Sequence, residues 1–146
     1  MKIKALGHVV LRVSDCARSE SFYNGLLGLP IAARIDGNGV RMTFFTLGNH
    51  HDLAVMQTGA AVGAQGGTTT GLHHVAFKIG DTLDELRQAK AKLEQAGITP
   101  TPVDHDVTKS LYFADPDGNG VELYVDASDA WRQDPQRVAH MAPLEL

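Results

Sequence analysis

The sequence predicts an α+β fold built from two similar βαβββ modules. The segment HVVLRV at 8–13 matches HVAFKI at 74–79 position by position in residue type, at an offset of 74 minus 8, or 66 residues. A helical pattern follows each segment. Each half then contains a strand, a Gly-Asn turn and a second strand, at 42–57 and at 110–125. The repeat therefore covers most of the chain.

The boundaries of the modules follow from the repeat. We expect one domain at 1–126, with modules at about 1–57 and 72–126. Between them lies TGAAVGAQGGTTTG at 58–71, whose Gly, Ala and Thr content predicts a mobile linker or a flap. Residues 127–146 form a C-terminal tail.

The first strand of each module is expected to place a histidine on the open face of its sheet. In 8–13, alternate residues from Val9 share the apolar face that suits burial under a helix, and His8 lies on the opposite face. By the repeat, His74 takes the face of His8. His73, one residue earlier, is expected to point the other way.

Capping residues predict where the helices begin and end. Ser14 and Asp15 are candidate N-caps of the first helix. Thr82 and Glu85 form a capping box for the second helix, and Gly97 ends it. Each helix thus directly follows the first strand of its module.

Composition and charge exclude several classes of function. A net charge of −4 gives no basic surface for a phosphate backbone, so we expect neither nucleic acid nor an anionic membrane as a partner. No apolar run approaches the roughly 18 residues that span a bilayer, and the N-terminus has no signal-peptide pattern. We therefore expect a cytoplasmic protein. Cys16 is the only cysteine, so a metal would need His and carboxylate ligands.

Two histidines and one glutamate are the candidate metal ligands. Glu122 alternates with apolar neighbours in VELYV, where its charge is costly unless it is compensated. Together with His8 and His74 it can supply the facial triad typical of non-haem iron(II). A single strand histidine is more often a hydrogen-bonded structural residue, but two at equivalent positions of a repeat, with a strand glutamate, favour a metal site.

The segments GHVVLRV, GLHHVAF and YFADPDGNGVELYV resemble those of the vicinal oxygen chelate superfamily over about residues 5–126. This superfamily includes glyoxalase I, extradiol dioxygenases and bleomycin or fosfomycin resistance proteins. The resemblance implies a cup of curved sheets around a divalent metal, with His8, His74 and Glu122 as ligands. It also implies a homodimer, since dimers are common among relatives.

The first module leaves two alternatives at its last strand. Aligning GNHHDLAV with GNGVELYV puts Asp52 opposite Glu122, which would make it a fourth ligand in the style of glyoxalase I. Alternatively, His51 faces the metal. The sequence around it resembles the catalytic domain of extradiol catechol dioxygenases, which implies an acid-base role for His51 and substrate hydrogen bonds from His105 and Tyr112.

The activity that this resemblance implies is extradiol ring cleavage of a catechol-like aromatic diol with O2. Fe(II) is the expected cofactor, with Mn, Ni, Zn or Co as other possible ions. Two alternatives belong to other classes. One is a glyoxalase-like metal-dependent lyase or isomerase, and the other is a non-catalytic, drug-binding resistance protein.

Overall fold

The structure, a computed structural model, describes residues 2–58 and 70–146. The chain divides into two compact units, the first comprising Met1–Gly67 and Asp115–Gly118, and the second Thr68–Ala114 and Asn119–Leu146. Of the linker predicted at 58–71, residues 59–69 lie outside the described residues. No helix within 2–58 or 70–146 is long and apolar enough to cross a membrane.

The first unit contains one βαβββ module, as predicted. Its elements are β1 (Val9–Val13), α1 (Cys16–Glu20), a π-helical turn at Ser21–Leu26, β2 (Ile31–Gly37), β3 (Val40–Phe45) and β4 (Leu53–Gln57). The sheet order is β1-β4-β3-β2. Strand β1 runs parallel to β4, and the other neighbours are antiparallel.

Local sequence explains the start and the end of the first helical segment. Of the two candidate caps, Asp15 is the N-cap, and its carboxylate accepts hydrogen bonds from the backbone amides of Ala17 and Arg18. Gly28 ends the segment with a φ of +83°, a conformation that glycine adopts without steric cost. The predicted burial of alternate β1 residues is confirmed at Leu11 and Val13, which are 4% and 2% exposed.

The second unit contains the second βαβββ module and the C-terminal segment. Its elements are β5 (Val75–Gly80), α2 (Leu83–Gln95), β6 (Thr101–Asp104), β7 (Thr108–Ala114), β8 (Gly120–Asp126), 3-10 turns at Ala130–Arg132 and Pro135–Ala139, and β9 (Ala142–Pro143). The sheet order is β5-β8-β7-β6-β9. The predicted tail therefore adds an edge strand to this sheet.

Helix α2 covers one face of the second sheet. The predicted capping box is confirmed, because the Thr82 side chain accepts from the backbone of Glu85 and the Glu85 side chain accepts from the backbone of Thr82. Leu86 and Leu93 are 0% and 2% exposed. Their burial against the sheet leaves its other face open.

Candidate metal centre

His8 and His51 meet because parallel strands β1 and β4 start side by side. Val9 pairs with Leu53, and the Val9 amide donates to the Asp52 carbonyl at 3.1 Å. The residues just before the two strands are therefore neighbours. The ring centroids of His8 and His51 lie 4.2 Å apart.

His50 joins these two residues in what we call the histidine cluster, defined as His8, His50 and His51. One ring nitrogen from each residue lies within 4.8 Å of the other two. Burial, followed by the neighbouring His8 and His50, lowers the pKa of His51 below its ordinary value. The lowered pKa favours the neutral imidazole of His51, the form that binds metals.

Asp52 is held by its own loop. Its carboxylate accepts from the Leu47 amide at 2.6 Å and from the Asn49 side chain at 2.8 Å. These hydrogen bonds, that from Leu47 first, lower the pKa of Asp52. Since both carboxylate oxygens are engaged in the loop, His51 rather than Asp52 is the residue presented to His8.

His74 and Glu122 meet in the second unit by the same parallel geometry. Ala76 of β5 pairs with Glu122 of β8, and His74 lies just ahead of β5. His74 Nε2 is 3.0 Å from Glu122 Oε2. Glu122 is 7% exposed, and its other oxygen accepts from Ser110 Oγ at 2.6 Å. Both carboxylate oxygens thus have partners, as burial of a charge requires.

His73 does not point away from His74, so that expectation is wrong. The two Nδ1 atoms lie 2.7 Å apart, because both residues precede β5 and escape the alternation of the strand. A Cβ at Gly120 would lie 2.1 Å from the His73 carbonyl oxygen. Glycine at this position allows the segment carrying both histidines to approach β8 closely.

Tyr112 and His105 form a hydrogen-bonded pair beside Glu122. Tyr112 lies opposite Glu122 in the β7–β8 register, and its hydroxyl is 2.9 Å from His105 Nε2. His105 Nδ1 is 2.8 Å from the His140 carbonyl oxygen, which can only accept, so Nδ1 carries a proton. In neutral His105 the Tyr112 hydroxyl then donates to Nε2. Burial and the Glu122 carboxylate raise the pKa of Tyr112 to about 12.

The C-terminal segment holds His105 in place. The Arg137 guanidinium donates to both carboxylate oxygens of Asp106, at 2.5 and 2.8 Å. On the other side of His105, Asp104 accepts from Lys109. Strand β9 pairs with β6 directly before this loop. His105 is therefore fixed by the tail as well as by its hairpin.

A cavity of about 730 Å³ opens onto Glu122 in the second unit. Its floor is the open face of the sheet, with Ala76 and Tyr124 beside Glu122. Trp131 and Val138 of the C-terminal segment form an apolar part of its wall. The tail therefore lines the space next to the carboxylate.

The donors fit a first-row divalent ion. Imidazole ligands suit Fe, Zn and Ni, and carboxylate ligands suit Mn. Two ligands at about 2.1 Å and at right angles on one ion are roughly 3 Å apart, and the His74–Glu122 atoms are 3.0 Å apart. His8 belongs to the first unit. The three-ligand set of His8, His74 and Glu122 therefore stays a prediction.

Sequence reasoning missed four groups near these residues. Ser110 donates a hydrogen bond to Glu122, and His50 adds a third imidazole to the histidine cluster. Trp131 lines the cavity, and the His140 carbonyl accepts from His105 Nδ1 and so fixes its tautomer. Register alone could have placed Ser110, since it lies two residues before Tyr112 on the same face. The others depend on a loop and on the tail, which periodicity does not describe.

The paired βαβββ modules, with imidazole and carboxylate donors at the open faces, define a protein of the glyoxalase and dioxygenase class. A family model described as the Glyoxalase/Bleomycin resistance protein/Dioxygenase superfamily matches residues 5–123. The chain belongs to this superfamily, as the sequence resemblance predicted. The structure of a domain of the same description from Frankia sp. EAN1pec superimposes with a TM-score of 0.72 at 22% identity, covering 86% of this chain and 100% of that one.

Relatives in the superfamily carry different activities in their names. The biphenyl-2,3-diol 1,2-dioxygenase 2 of Rhodococcus globerulus is 36% identical over 121 residues, covering 82% of this chain and 61% of that protein. The catechol-2,3-dioxygenase of Bacillus subtilis is 32% identical, with 88% and 44% covered. The chain thus spans less than two thirds of either dioxygenase.

A third relative matches over more of its own length. The glutathione transferase FosA of Serratia marcescens is 32% identical over 124 residues, covering 84% of this chain and 82% of that protein. The fold is also that of the fosfomycin resistance protein FosX of Listeria monocytogenes, in a structure with Mn(II) and sulfate, at a TM-score of 0.68 and 19% identity, with 91% and 100% covered. Activities named within the superfamily thus include both aromatic-diol dioxygenase and glutathione transferase.

Proposed function

We propose that this chain is a metal-dependent extradiol ring-cleaving dioxygenase that acts on a catechol-like aromatic diol with O2. His8, His74 and Glu122 are the proposed metal ligands, and His51, His105 and Tyr112 the proposed catalytic residues. Two relatives named as dioxygenases of aromatic diols, at 36% and 32% identity, support this reaction.

The position of His51 is the observation that carries the proposal. Its ring lies 4.2 Å from the ring of His8, a proposed ligand. A glyoxalase-type centre would instead require Asp52 beside the metal, and the Asp52 carboxylate is bound to its own loop. An imidazole at this place suits proton transfer near neutral pH, which a diol needs when it binds as an anion.

A divalent ion, Fe(II) in our proposal, would draw electrons from a bound diol and so lower its pKa. Mn, Ni, Zn and Co are ions that the same donors bind. His51 accepts the diol proton. The Tyr112 hydroxyl, oriented by its hydrogen bond to His105, accepts a hydrogen bond from the substrate diol.

The cavity beside Glu122 accommodates the part of the substrate that is not the diol. Its volume of about 730 Å³ exceeds what a single ring fills. Trp131 and Val138 line the cavity and offer apolar contacts. In this proposal the diol end of the substrate lies toward Glu122. We therefore expect a substituted aromatic diol to bind better than unsubstituted catechol.

The test is anaerobic reconstitution with Fe(II), followed by a panel of catechols with O2 uptake and ring-opened product recorded. We expect one O2 consumed per diol. His51→Ala is expected to lose ring cleavage and to keep its iron, because His51 acts as an acid-base group and not as a ligand. His140→Ala is the matched control, since its contact to His105 uses the backbone carbonyl. Absence of O2 uptake with every diol, or full activity in His51→Ala, contradicts the proposal.

A glutathione-dependent transferase or lyase is the second candidate. The observation that favours it is the relative FosA of Serratia marcescens, which is named as a glutathione transferase and is 32% identical to this chain over 124 residues. Mn(II) with glutathione and an epoxide or hemithioacetal substrate tests it in the same assay series. Glutathione conjugation with no O2 uptake would favour this reaction over ring cleavage.

We further propose that the chain forms a homodimer, as the resemblance to relatives implies, and that it is located in the cytoplasm. Sedimentation velocity tests the dimer, and a single species of about 31 kDa, twice the 15.7 kDa of one chain, is the expected result. A monomer at micromolar concentration would contradict it.

A further inference from the structure

We infer that the histidine cluster binds a divalent ion of its own, of the Zn(II) type, without any ligand from the second unit. This site differs from the proposed catalytic centre in two of its three ligands. It shares only His8 with that centre.

The geometry of the cluster suits one ion. A ring nitrogen of each of His8, His50 and His51 lies within 4.8 Å of the others. Three nitrogens bound to one zinc at about 2.1 Å are separated by roughly 3.4 Å in tetrahedral geometry. Small rotations of the rings close this difference. The fourth position stays free for water.

The loop that carries two of the ligands is already ordered by its own hydrogen bonds. Thr46 Oγ1 donates to the Asn49 carbonyl at 2.6 Å, and the Gly48 amide donates back to Thr46 Oγ1 at 3.0 Å. Asp52 closes the same loop from its other end. Metal binding therefore needs side-chain rotation without much loss of backbone entropy.

Chemistry selects the ion. A set of three imidazole ligands suits Zn, Cu and Ni, and it lacks the carboxylate that Mn and Ca prefer. His8 and His50 are exposed, so an ion enters from solvent without opening the fold. We therefore expect Zn(II) to bind here more tightly than Mn(II).

Occupancy of this site has a consequence that rests on the proposed function. An ion held by the cluster withdraws His8 as a catalytic ligand and His51 as an acid-base group. Zinc at this site is therefore an inhibitor of the iron-loaded enzyme. A substitution of His50 tests zinc inhibition separately, because His50 belongs to the histidine cluster but is neither a proposed ligand of the catalytic metal nor a proposed catalytic residue.

The first experiment measures binding alone. In a His74→Ala, Glu122→Gln background, the metal-free chain is titrated with Zn(II) by calorimetry and with Co(II) by visible absorption. We expect one ion per chain and a tetrahedral Co(II) spectrum. Adding His50→Ala should weaken zinc binding by about tenfold or more, whereas adding the control His140→Ala should leave it unchanged. Unchanged zinc binding on adding His50→Ala, or no binding in the folded background, overturns the inference.

A measurement on the unaltered chain guards against loss of folding in that background. Co(II) added to the wild-type protein should shift the imidazole NMR signals of His50, and excess Zn(II) should reverse the shift. A His50 signal unaffected by either ion overturns the inference without any variant.

The second experiment tests inhibition in the Fe(II)-loaded protein. Zinc should stop O2 uptake in the wild type, and His50→Ala should keep its activity at the same zinc concentration. Equal inhibition of both proteins would show that zinc acts elsewhere and would overturn the inhibitory role. If no diol is cleaved, the proposed function fails while the binding titration still decides the site.

Discussion

The two units repeat one module but place their candidate metal ligands in opposite surroundings. The first unit gathers three imidazoles, of which His8 and His50 are exposed and His51 is half-buried. The second unit buries a carboxylate, Glu122, at 7% exposure. Exposed imidazole rings need little support from the protein, whereas a buried carboxylate needs a partner for each oxygen.

That difference explains where each unit is elaborated. Around Glu122, strand β7 supplies Ser110, and the residue just ahead of β5 supplies the His74 imidazole. Around the histidine cluster, an ordered loop before β4 supplies two of the three rings. A repeated scaffold thus keeps its strand pairing while the residues at the strand starts and the loops change.

The helices of the two units differ in length, since α1 has five residues and α2 has thirteen. The largest expected loss of stability therefore comes from a substitution in α2. Helix α2 spans thirteen residues and buries Leu86 completely, whereas Leu83 at its first position is 38% exposed. Leu86→Ala should lower the free energy of unfolding by about 2 to 5 kcal/mol because it leaves a cavity in a packed core. Urea denaturation measures it. Leu83→Ala is the matched control and should cost less than about 1 kcal/mol; equal losses would contradict the packing described.

The first unit contains a buried hydrogen bond between two side chains. Tyr23 is 0% exposed, and its hydroxyl donates to the Asp115 carboxylate at 2.9 Å. Tyr23→Phe should cost about 1.5 to 3 kcal/mol, the range for a hydrogen bond to a charged group. Tyr124→Phe, at a half-buried tyrosine on the cavity floor, should cost less. The same denaturation series compares them, and a neutral Tyr23→Phe would refute this role.

The cavity wall sharpens the comparison at the level of substrate binding. Trp131 lines the cavity, and the Arg132 guanidinium carbon lies 4.6 Å from the centroid of the Trp131 ring. Trp131→Ala should raise KM for substituted catechols by about tenfold, since an aromatic contact contributes about 0.5 to 1.5 kcal/mol beyond its area. Trp131→Phe should restore most of the affinity. Steady-state kinetics with catechol itself, where no substituent reaches the wall, should show little change.

The smallest expected effect concerns acid stability of the first unit. Hydrogen bonds from Arg34, and then from Thr43, lower the pKa of Glu20 below its ordinary value of 4.5. A carboxylate with a lowered folded pKa stabilises the protein above pH 4.5 and loses that contribution as the pH falls. Glu20→Gln should therefore lose less thermal stability than the wild type between about pH 6 and pH 3.5. Parallel loss in both proteins would contradict the ion pair.

Much of the fold could be predicted because it follows from local patterns. The His-Val repeat located β1 and β5, period-2 alternation assigned Leu11 to the core, and Thr82 with Glu85 marked the start of α2. Each of these signals lies within a few residues in the sequence. For the same reason the sequence correctly predicted that Glu122 lies within a strand.

The site could be predicted only in part, because its remaining members come from loops and the tail. Strand alternation misplaced His73, since it lies just ahead of β5 rather than within it. Spacing alone could not decide whether Asp52 or His51 lies beside His8. The hydrogen bonds that hold the Asp52 carboxylate in its own loop were needed to distinguish them. Trp131 required the path of the C-terminal segment, which no repeat describes.

Mn(II) binding to the metal-free protein tests the central claim most directly. Free Mn(II) is measured by electron paramagnetic resonance for the wild type and for His8→Ala, His74→Ala, Glu122→Gln and His50→Ala. We predict one Mn(II) per chain, about tenfold or greater weakening in the first three variants, and no change in His50→Ala. Wild-type Mn(II) binding by His8→Ala would contradict a centre built from His8, His74 and Glu122.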